Sequence, residues 1–231
     1  MNIKKYKNAF ISILGDSIST FEGISVPKEA SFYDTERKLR SNVLTIADTW
    51  WGRTIDYLQA NLLVNNSIAG STVTWNPGYE IQSYGCSDER TSSLSSGNIL
   101  PDVIMVCLGI NDWGAGVRVF DGNDDDLTVF INAYGDMLRK LKNNYRNAEI
   151  WCLMPAVSFC SAKTDFEFPN DKGGRHIAEY CRAIKRCADQ NECKTIDLFN
   201  YSIAYDTIDG FHPNKEGMKT IADAVISWLV D

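Results

Sequence analysis

Residues 9–17 read AFISILGDS: an apolar run, Ala9 to Leu14, stops at Gly15, and Asp16 and Ser17 follow at once. Short apolar runs ended by glycine are the pattern of strands buried on both faces of a parallel sheet. The glycine permits a tight turn. Asp16 and Ser17 then fall at the strand's carboxyl end, where open α/β sheets bind their ligands.

Four more stretches fit the same sheet: Leu62 to Val64, Val103 to Gly109, Glu149 to Met154 and Lys194 to Leu198. Apolar residues recur at helical spacing in Ala47 to Asn61, Leu127 to Tyr145, Ile177 to Ala188 and Met218 to Leu229, with Pro213 at the start of the last. Ser87 to Ser96 reads as a short helix, while Gly78 to Gly85, Val157 to Gly174 and Phe199 to His212 read as loops. Phe21 to Ile46 has no clear period and is long for a plain loop, so it is expected to carry a short hairpin or to cover the site. The alternation of strands and helices, with no repeat or linker, predicts a single α/β domain over residues 1–231. That alternation reads as a doubly wound parallel sheet, and a five-stranded α/β sheet of this kind commonly takes the order 2-1-3-4-5.

At 231 residues and 44% hydrophobic, such a chain buries roughly 70–75% of its unfolded surface and needs no disulfide staples. The net charge of -7 weighs against nucleic acid or an anionic membrane as partner. No window reaches the ~20 apolar residues of a membrane span. The basic opening, MNIKKYKN, precedes only a strand's length of apolar residues, which reads as no signal peptide and a cytoplasmic location. Seven cysteines with no CxxC pair read as reduced, packed thiols, so neither a disulfide framework nor a zinc site is expected. The acidic loop Asp121 to Asp126 lacks the DxDxDG spacing of a calcium loop and reads as a solvated helix entry. No metal or cofactor is called for, and no signal of oligomeric state is visible.

The strand order matters for chemistry, because strand one then lies between strands two and three. The loops bearing Ser17, Gly70 and Asn111 become neighbours, although none is near another in sequence. Strand five would lie about 14 Å from strand one at ~4.8 Å per strand. The stretch Phe199 to His212 can span ~45 Å at ~3.3 Å per residue, enough to bring His212 over Ser17. A serine hydroxyl needs a base, and histidine is the usual one near neutral pH. Of the two histidines, His176 reads as a surface helix residue, whereas His212 follows Asp209 by three residues. That spacing lets a carboxylate hold one ring nitrogen while the other faces Ser17. An oxyanion formed on attack needs donors; Asn111 offers its amide, and Ser17 and Gly70 offer backbone N–H groups. Trp75 and Trp113 follow the second and third loops and are candidates to line the mouth of the site as a platform for a sugar ring or acyl chain.

These residues resemble the blocks of the SGNH hydrolases, the GDSL esterase/lipase family. The blocks are Gly15-Asp16-Ser17, the glycine Gly70, Gly109-Ile110-Asn111-Asp112 and Asp209-Gly210-Phe211-His212, in family order. The resemblance implies a three-layer, flavodoxin-like α/β sandwich, a Ser17–His212–Asp209 triad and an oxyanion hole of Ser17, Gly70 and Asn111. It implies a carboxylic ester hydrolase that works through an acyl-enzyme on a small-molecule or glycan ester. Two departures bear on substrate: Ile-Ser-Thr replaces the usual leucine after GDS, and residues 21–46 exceed what a minimal member needs. Short acyl groups, acetyl foremost, on carbohydrate are the expected substrates. Lysophospholipase or thioesterase activity is the alternative within the family, and a catalytically silent ligand-binding module of the same fold is the rival outside enzymes. A flavodoxin-like nucleotide binder would need GxGxxG or GxxxxGK[ST] after strand one, which is missing.

Overall fold

The structure, a computed structural model, describes residues 3–25, 30–78, 83–120, 122, 125–199 and 203–230. Parts of the sequence-predicted loops at 21–46, 78–85, 121–126 and 199–212 lie outside the described residues, Asp121, Asn123 and Asp124 of the acidic loop among them.

The strands are β1 (Phe10–Gly15), β2 (Asn61–Ser67), β3 (Val103–Cys107), β4 (Glu149–Leu153), β5 (Val157–Phe159), β6 (Asp171–Lys172), β7 (Arg175–His176), β8 (Lys194–Ile196) and β9 (Ala204–Asp206). The helices are α1 (Thr35–Ser41), α2 (Trp50–Leu58), α3 (Asp88–Ser92), α4 (Ile110–Gly114), α5 (Phe130–Asn144), α6 (Ile177–Gln190) and α7 (Lys215–Val230). Five strands make one parallel sheet in the order β2-β1-β3-β4-β8. This is the predicted 2-1-3-4-5 order, with β8 as the fifth strand.

Successive side chains of a strand face opposite ways, and here both faces are buried. Ile11, Ile13, Val103, Met105, Trp151 and Leu153 pack toward α2 and α7, against Trp50, Trp51, Met218 and Val225. Leu14, Ile104, Val106, Ile150 and Cys152 pack toward α5 and α6, against Phe130, Tyr134, Leu138 and Ile184. Two-sided burial is why the strands read as nearly continuous apolar runs.

Register brings the strand ends level: Gly15 stands opposite Ser67 on β2 and Cys107 on β3. Gly15 has no room for a side chain, since a Cβ there would lie 2.7 Å from Ser67 Oγ and 2.8 Å from Ser19 Cβ. The three loops that follow β1, β2 and β3 therefore leave the sheet side by side.

Several expectations are corrected. Residues 21–46 carry no hairpin among the described residues; instead Asp34 caps α1 by accepting the Arg37 amide, and a short 3-10 turn follows at Ile46–Asp48. The stretch read as loop from Val157 to Gly174 contains β5 and one strand of the β6–β7 hairpin, and β5 pairs in parallel with β9. These strands are two or three residues long and carry too little pattern to be read in sequence. Pro213 precedes α7, whose Gly217 amide is capped by the Asn214 side chain. His176 is the N-cap of α6: its Nδ1 accepts the Ala178 amide at 3.1 Å, and Glu179 bonds back to its backbone N–H at 3.1 Å. Histidine is rare at that position, which usually takes serine, threonine or asparagine.

Candidate active site

The turn after β1 is built around Asp16. Its carboxylate accepts the Ile18 amide at 3.1 Å and caps the 3-10 turn Ser17–Ser19. Ser17 is thereby presented at the sheet's carboxyl edge, largely buried but lining a cleft of about 200 Å³ with Ile18, Asn111, Trp113, Lys172 and His212.

The loop bearing Asp209 and His212 arrives from β9, on the far side of the sheet, and is pinned rather than slack. Ser158 Oγ donates to the Gly210 carbonyl at 2.5 Å, Tyr205 Oη to Phe211 O at 3.0 Å and Tyr33 Oη to Pro213 O at 2.7 Å. The Gly210 amide donates to Thr207 Oγ1 at 3.0 Å. Within this frame, Asp209 Oδ1 accepts the amides of Phe211 and His212 at 3.0 and 2.8 Å. Its Oδ2 lies 2.7 Å from His212 Nδ1, and His212 Nε2 lies 3.0 Å from Ser17 Oγ. Burial raises the Asp209 carboxyl, but the His212 side chain and the two amides outweigh it and hold the group below the usual carboxylate range. An ionised Asp209 keeps the ring proton on Nδ1 and leaves the Nε2 lone pair facing the serine hydroxyl. The arrangement can take the Ser17 proton during attack on a carbonyl.

Donors for an oxyanion come from the neighbouring loops. Among the described residues, the amides of Ser17 and Gly70 have no hydrogen-bond partner. The Asn111 side chain spends one N–H on the Ser71 carbonyl at 2.9 Å, which ties it beside Gly70 and leaves its second N–H. Asp112, fully buried, clamps the same loop: it accepts the Val73 amide at 2.8 Å, the Thr74 amide at 3.0 Å and Thr74 Oγ1 at 2.8 Å. Burial nevertheless lifts its carboxyl to about 6. Asp16 is lifted further, to about 7, by burial and by the charge of Asp112, against the pull of the Ile18 amide and Arg90.

Arg90 was not legible as a site residue. It is 4% exposed, and its guanidinium donates to the carbonyls of Gly15 at 3.0 Å and Asn66 at 2.8 Å and to the hydroxyls of Ser71 at 2.7 Å and Ser83 at 2.5 Å. Burial lowers it to about 10, with Asp16 opposing, so it stays charged at neutral pH. It locks the end of β1 to the end of β2 and to the Gly70–Ser71 turn. A lone arginine in a short helix gives no hint of this in sequence.

Phe32 was also missed. Its ring stacks on the His212 ring, centroids 3.5 Å apart and planes within 10°. Its backbone N–H bonds Thr20 Oγ1 at 2.9 Å. The segment 21–46 therefore covers the site in its described part, as one of the two expectations had it. The two tryptophans separate. Trp113 lines the cleft but is 0% exposed and stacks on Phe168 at 5.2 Å, so its ring is wall rather than open platform. Trp75 is 49% exposed and is not among the residues lining the cleft; its amide bonds the Leu127 carbonyl instead. No group of three or more metal-ligating side chains occurs among the described residues, and none of their helices is long and apolar enough to cross a membrane.

A family model for GDSL-like lipase/acylhydrolase matches residues 9–158. A search of curated proteins found no match. Among crystal structures, a GDSL-like lipase candidate from Bacteroides ovatus ATCC 8483 is similar over 97% of this chain and 99% of its own, at 26% identity and a TM-score of 0.75. Another from Bacteroides uniformis ATCC 8492 is similar over 100% and 99%, at 27% identity and a TM-score of 0.74. A carbohydrate acetylesterase from Sinorhizobium meliloti shares the fold over 96% and 99%, at 15% identity and a TM-score of 0.63.

Proposed function

The chain belongs to the GDSL-like lipase/acylhydrolase family of SGNH hydrolases and is a carboxylic ester hydrolase, and from that premise we propose that Ser17, His212 and Asp209 cleave short acyl esters through an acyl-enzyme. The observation that carries the proposal is the unbroken hydrogen-bond chain from Ser17 Oγ through both ring nitrogens of His212 to Asp209. Ser17 Oγ bonds to the carbonyl carbon while its proton passes to His212 Nε2. The tetrahedral oxyanion takes the free amides of Ser17 and Gly70 and the second N–H of Asn111. On collapse the bond to the alcohol oxygen breaks, and that oxygen leaves with the proton from His212. Water, deprotonated by His212, then attacks the acyl-enzyme; the acid leaves and Ser17 regains its proton. Asp209, kept ionised, stabilises the imidazolium at each proton transfer.

A short acyl group is favoured by space. Ile18 and Ile110 line both the cleft and an apolar recess of about 30 Å³ behind it, bounded by Leu108, Met154 and Ile221. A recess this much smaller than the cleft suits a small acyl group. The acetyl ester of a carbohydrate fits this size, and a carbohydrate acetylesterase with the same fold is known. A single domain over residues 1–231 and a cytoplasmic location belong to the same proposal. The test is hydrolysis of p-nitrophenyl acetate, butyrate and octanoate by wild type and Ser17→Ala. Loss of about 10⁴-fold or more in kcat is expected for the variant, with acetate the best substrate. Equal rates in the two proteins would refute the role of Ser17, and a preference for octanoate would refute the short-acyl reading.

A further inference from the structure

The cleft beside Ser17 holds one lysine or arginine side chain among the described residues that line it, Lys172. Its place is set by backbone contact. Lys172 sits on the β6–β7 hairpin, whose tip glycine, Gly173, packs on Gly116 just after α4; a Cβ on Gly173 would come within 2.9 Å of Gly116 Cα. Both glycines have positive φ, 59° and 67°, a conformation side-chain-bearing residues rarely adopt. The hairpin is thus seated against the helix that carries Asn111. The ammonium is left 5.8 Å from the centre of the Trp113 ring and 5.5 Å from that of Phe211. Those rings are backed by Phe168, which stacks on Trp113 and meets Phe211 edge-on at 6.1 Å.

The ammonium has no ion-pair partner among the described carboxylates, although Asp165, Glu167 and Asp171 share its stretch of chain. Lys172 is exposed, and a cation held near aromatic faces without a counter-charge offers an anion placed in the cleft a partner. The small apolar recess at Ile18 and Ile110 suits the acyl group, so the Lys172 side is left for the alcohol. We propose that Lys172 is a specificity-determining residue that selects esters whose alcohol half carries a carboxylate. This rests on the reading of Ser17 as the ester-cleaving nucleophile and names the substrate class of that same cleft. For a carbohydrate substrate, the class is an O-acylated sugar acid rather than a neutral sugar.

The experiment pairs 4-acetoxybenzoate with its neutral methyl ester. The ratio of their kcat/KM values is compared in wild type, Lys172→Met, Lys172→Glu and Lys172→Arg, so that intrinsic differences in reactivity cancel. The ratio should fall about tenfold in K172M, as for loss of one charge-assisted contact, fall further in K172E and recover in K172R. The wild-type preference should also weaken at high salt. A second arm does without turnover: ligand-observed NMR titration of both esters into Ser17→Ala and into Ser17→Ala with Lys172→Met. The first should bind the carboxylate ester about tenfold more tightly than the methyl ester, and the second should not. A kcat/KM ratio or an affinity ratio that K172M leaves unchanged overturns the proposal, as does the absence of binding to S17A. If wild type cleaves neither ester while the binding preference stands and depends on Lys172, the ester-cleaving reading fails and the assignment of Lys172 survives.

Discussion

Two regions flank Ser17, and each uses aspartate in the opposite way. In the loop from β9 to α7, Asp209 keeps partial contact with solvent, its side chain 35% exposed, and the His212 ring and two amides hold it ionised. Beneath the serine, Asp16 and Asp112 are almost sealed off, at 1% and 0% exposure, and burial lifts them to about 7 and about 6. The same functional group is thus held as a charge beside an imidazole in one place and as a clamp for backbone amides in the other. Environment, rather than residue type, separates the roles.

The contrast can be broken from either side. The largest effect is expected from Asp209→Asn, which keeps the shape but not the charge and lets the ring tautomer reverse; kcat on p-nitrophenyl acetate should fall about 10⁴-fold. Its melting temperature should also fall near neutral pH, since the ionised Asp209 stabilises the fold there, and a loss confined to stability would remove Asp209 from the chemistry. Asp112→Asn should show the reverse balance. An amide there turns an NH₂ toward the Val73 amide or the Thr74 donors. Each mismatch costs about 1–3 kcal/mol, measurable by urea unfolding, with activity down only about tenfold through the Gly70–Asn111 geometry. Undiminished stability would show that Asp112 is no clamp.

The smallest effect is a matter of pH. Asp16 has an ordinary value of 3.8 and is raised to about 7 in the fold. The folded state therefore binds this proton more tightly, and the stability it contributes is complete below about pH 4 and is lost as pH climbs through about 7. Asp209, shifted downward, has the opposite sign: its contribution is present above about pH 4 and is lost as pH falls below that. Asp16→Asn still accepts the Ile18 amide, so its melting temperature should decline less than that of wild type between about pH 4 and 7. Parallel melting curves for the two proteins would show that Asp16 does not titrate there.

The long apolar strands and amphipathic helices were readable because each repeats a period set by local geometry: α5 and α6 were found within a few residues, as were β1, β3 and β4. The short pieces were not. β5, β6, β7 and β9 are two or three residues long: β5 finds its partner β9 across 47 residues, and β6 and β7, although joined by a two-residue turn, are too short to show a period. The same division runs through the site. Ser17, Asn111, Asp209 and His212, the proposed site residues, are marked by their neighbours in sequence, because a turn after a strand and a DxxH spacing are local facts. Arg90, Phe32 and Lys172 sit in unremarkable sequence and gain their places from contacts across 75, 180 and 59 residues (Arg90 to Gly15, Phe32 to His212, Lys172 to Trp113).

The amino-acid sequence alone thus determined the strand order, the family and the residues proposed for the chemistry, since periodicity and turn chemistry act over a few residues. Only the tertiary structure decided that Trp113 is wall and Trp75 lies off the cleft, that Arg90 ties two strand ends together, and which aspartates stay charged. Burial and charge pairing are properties of three-dimensional neighbourhoods, and those exist only once the chain has folded.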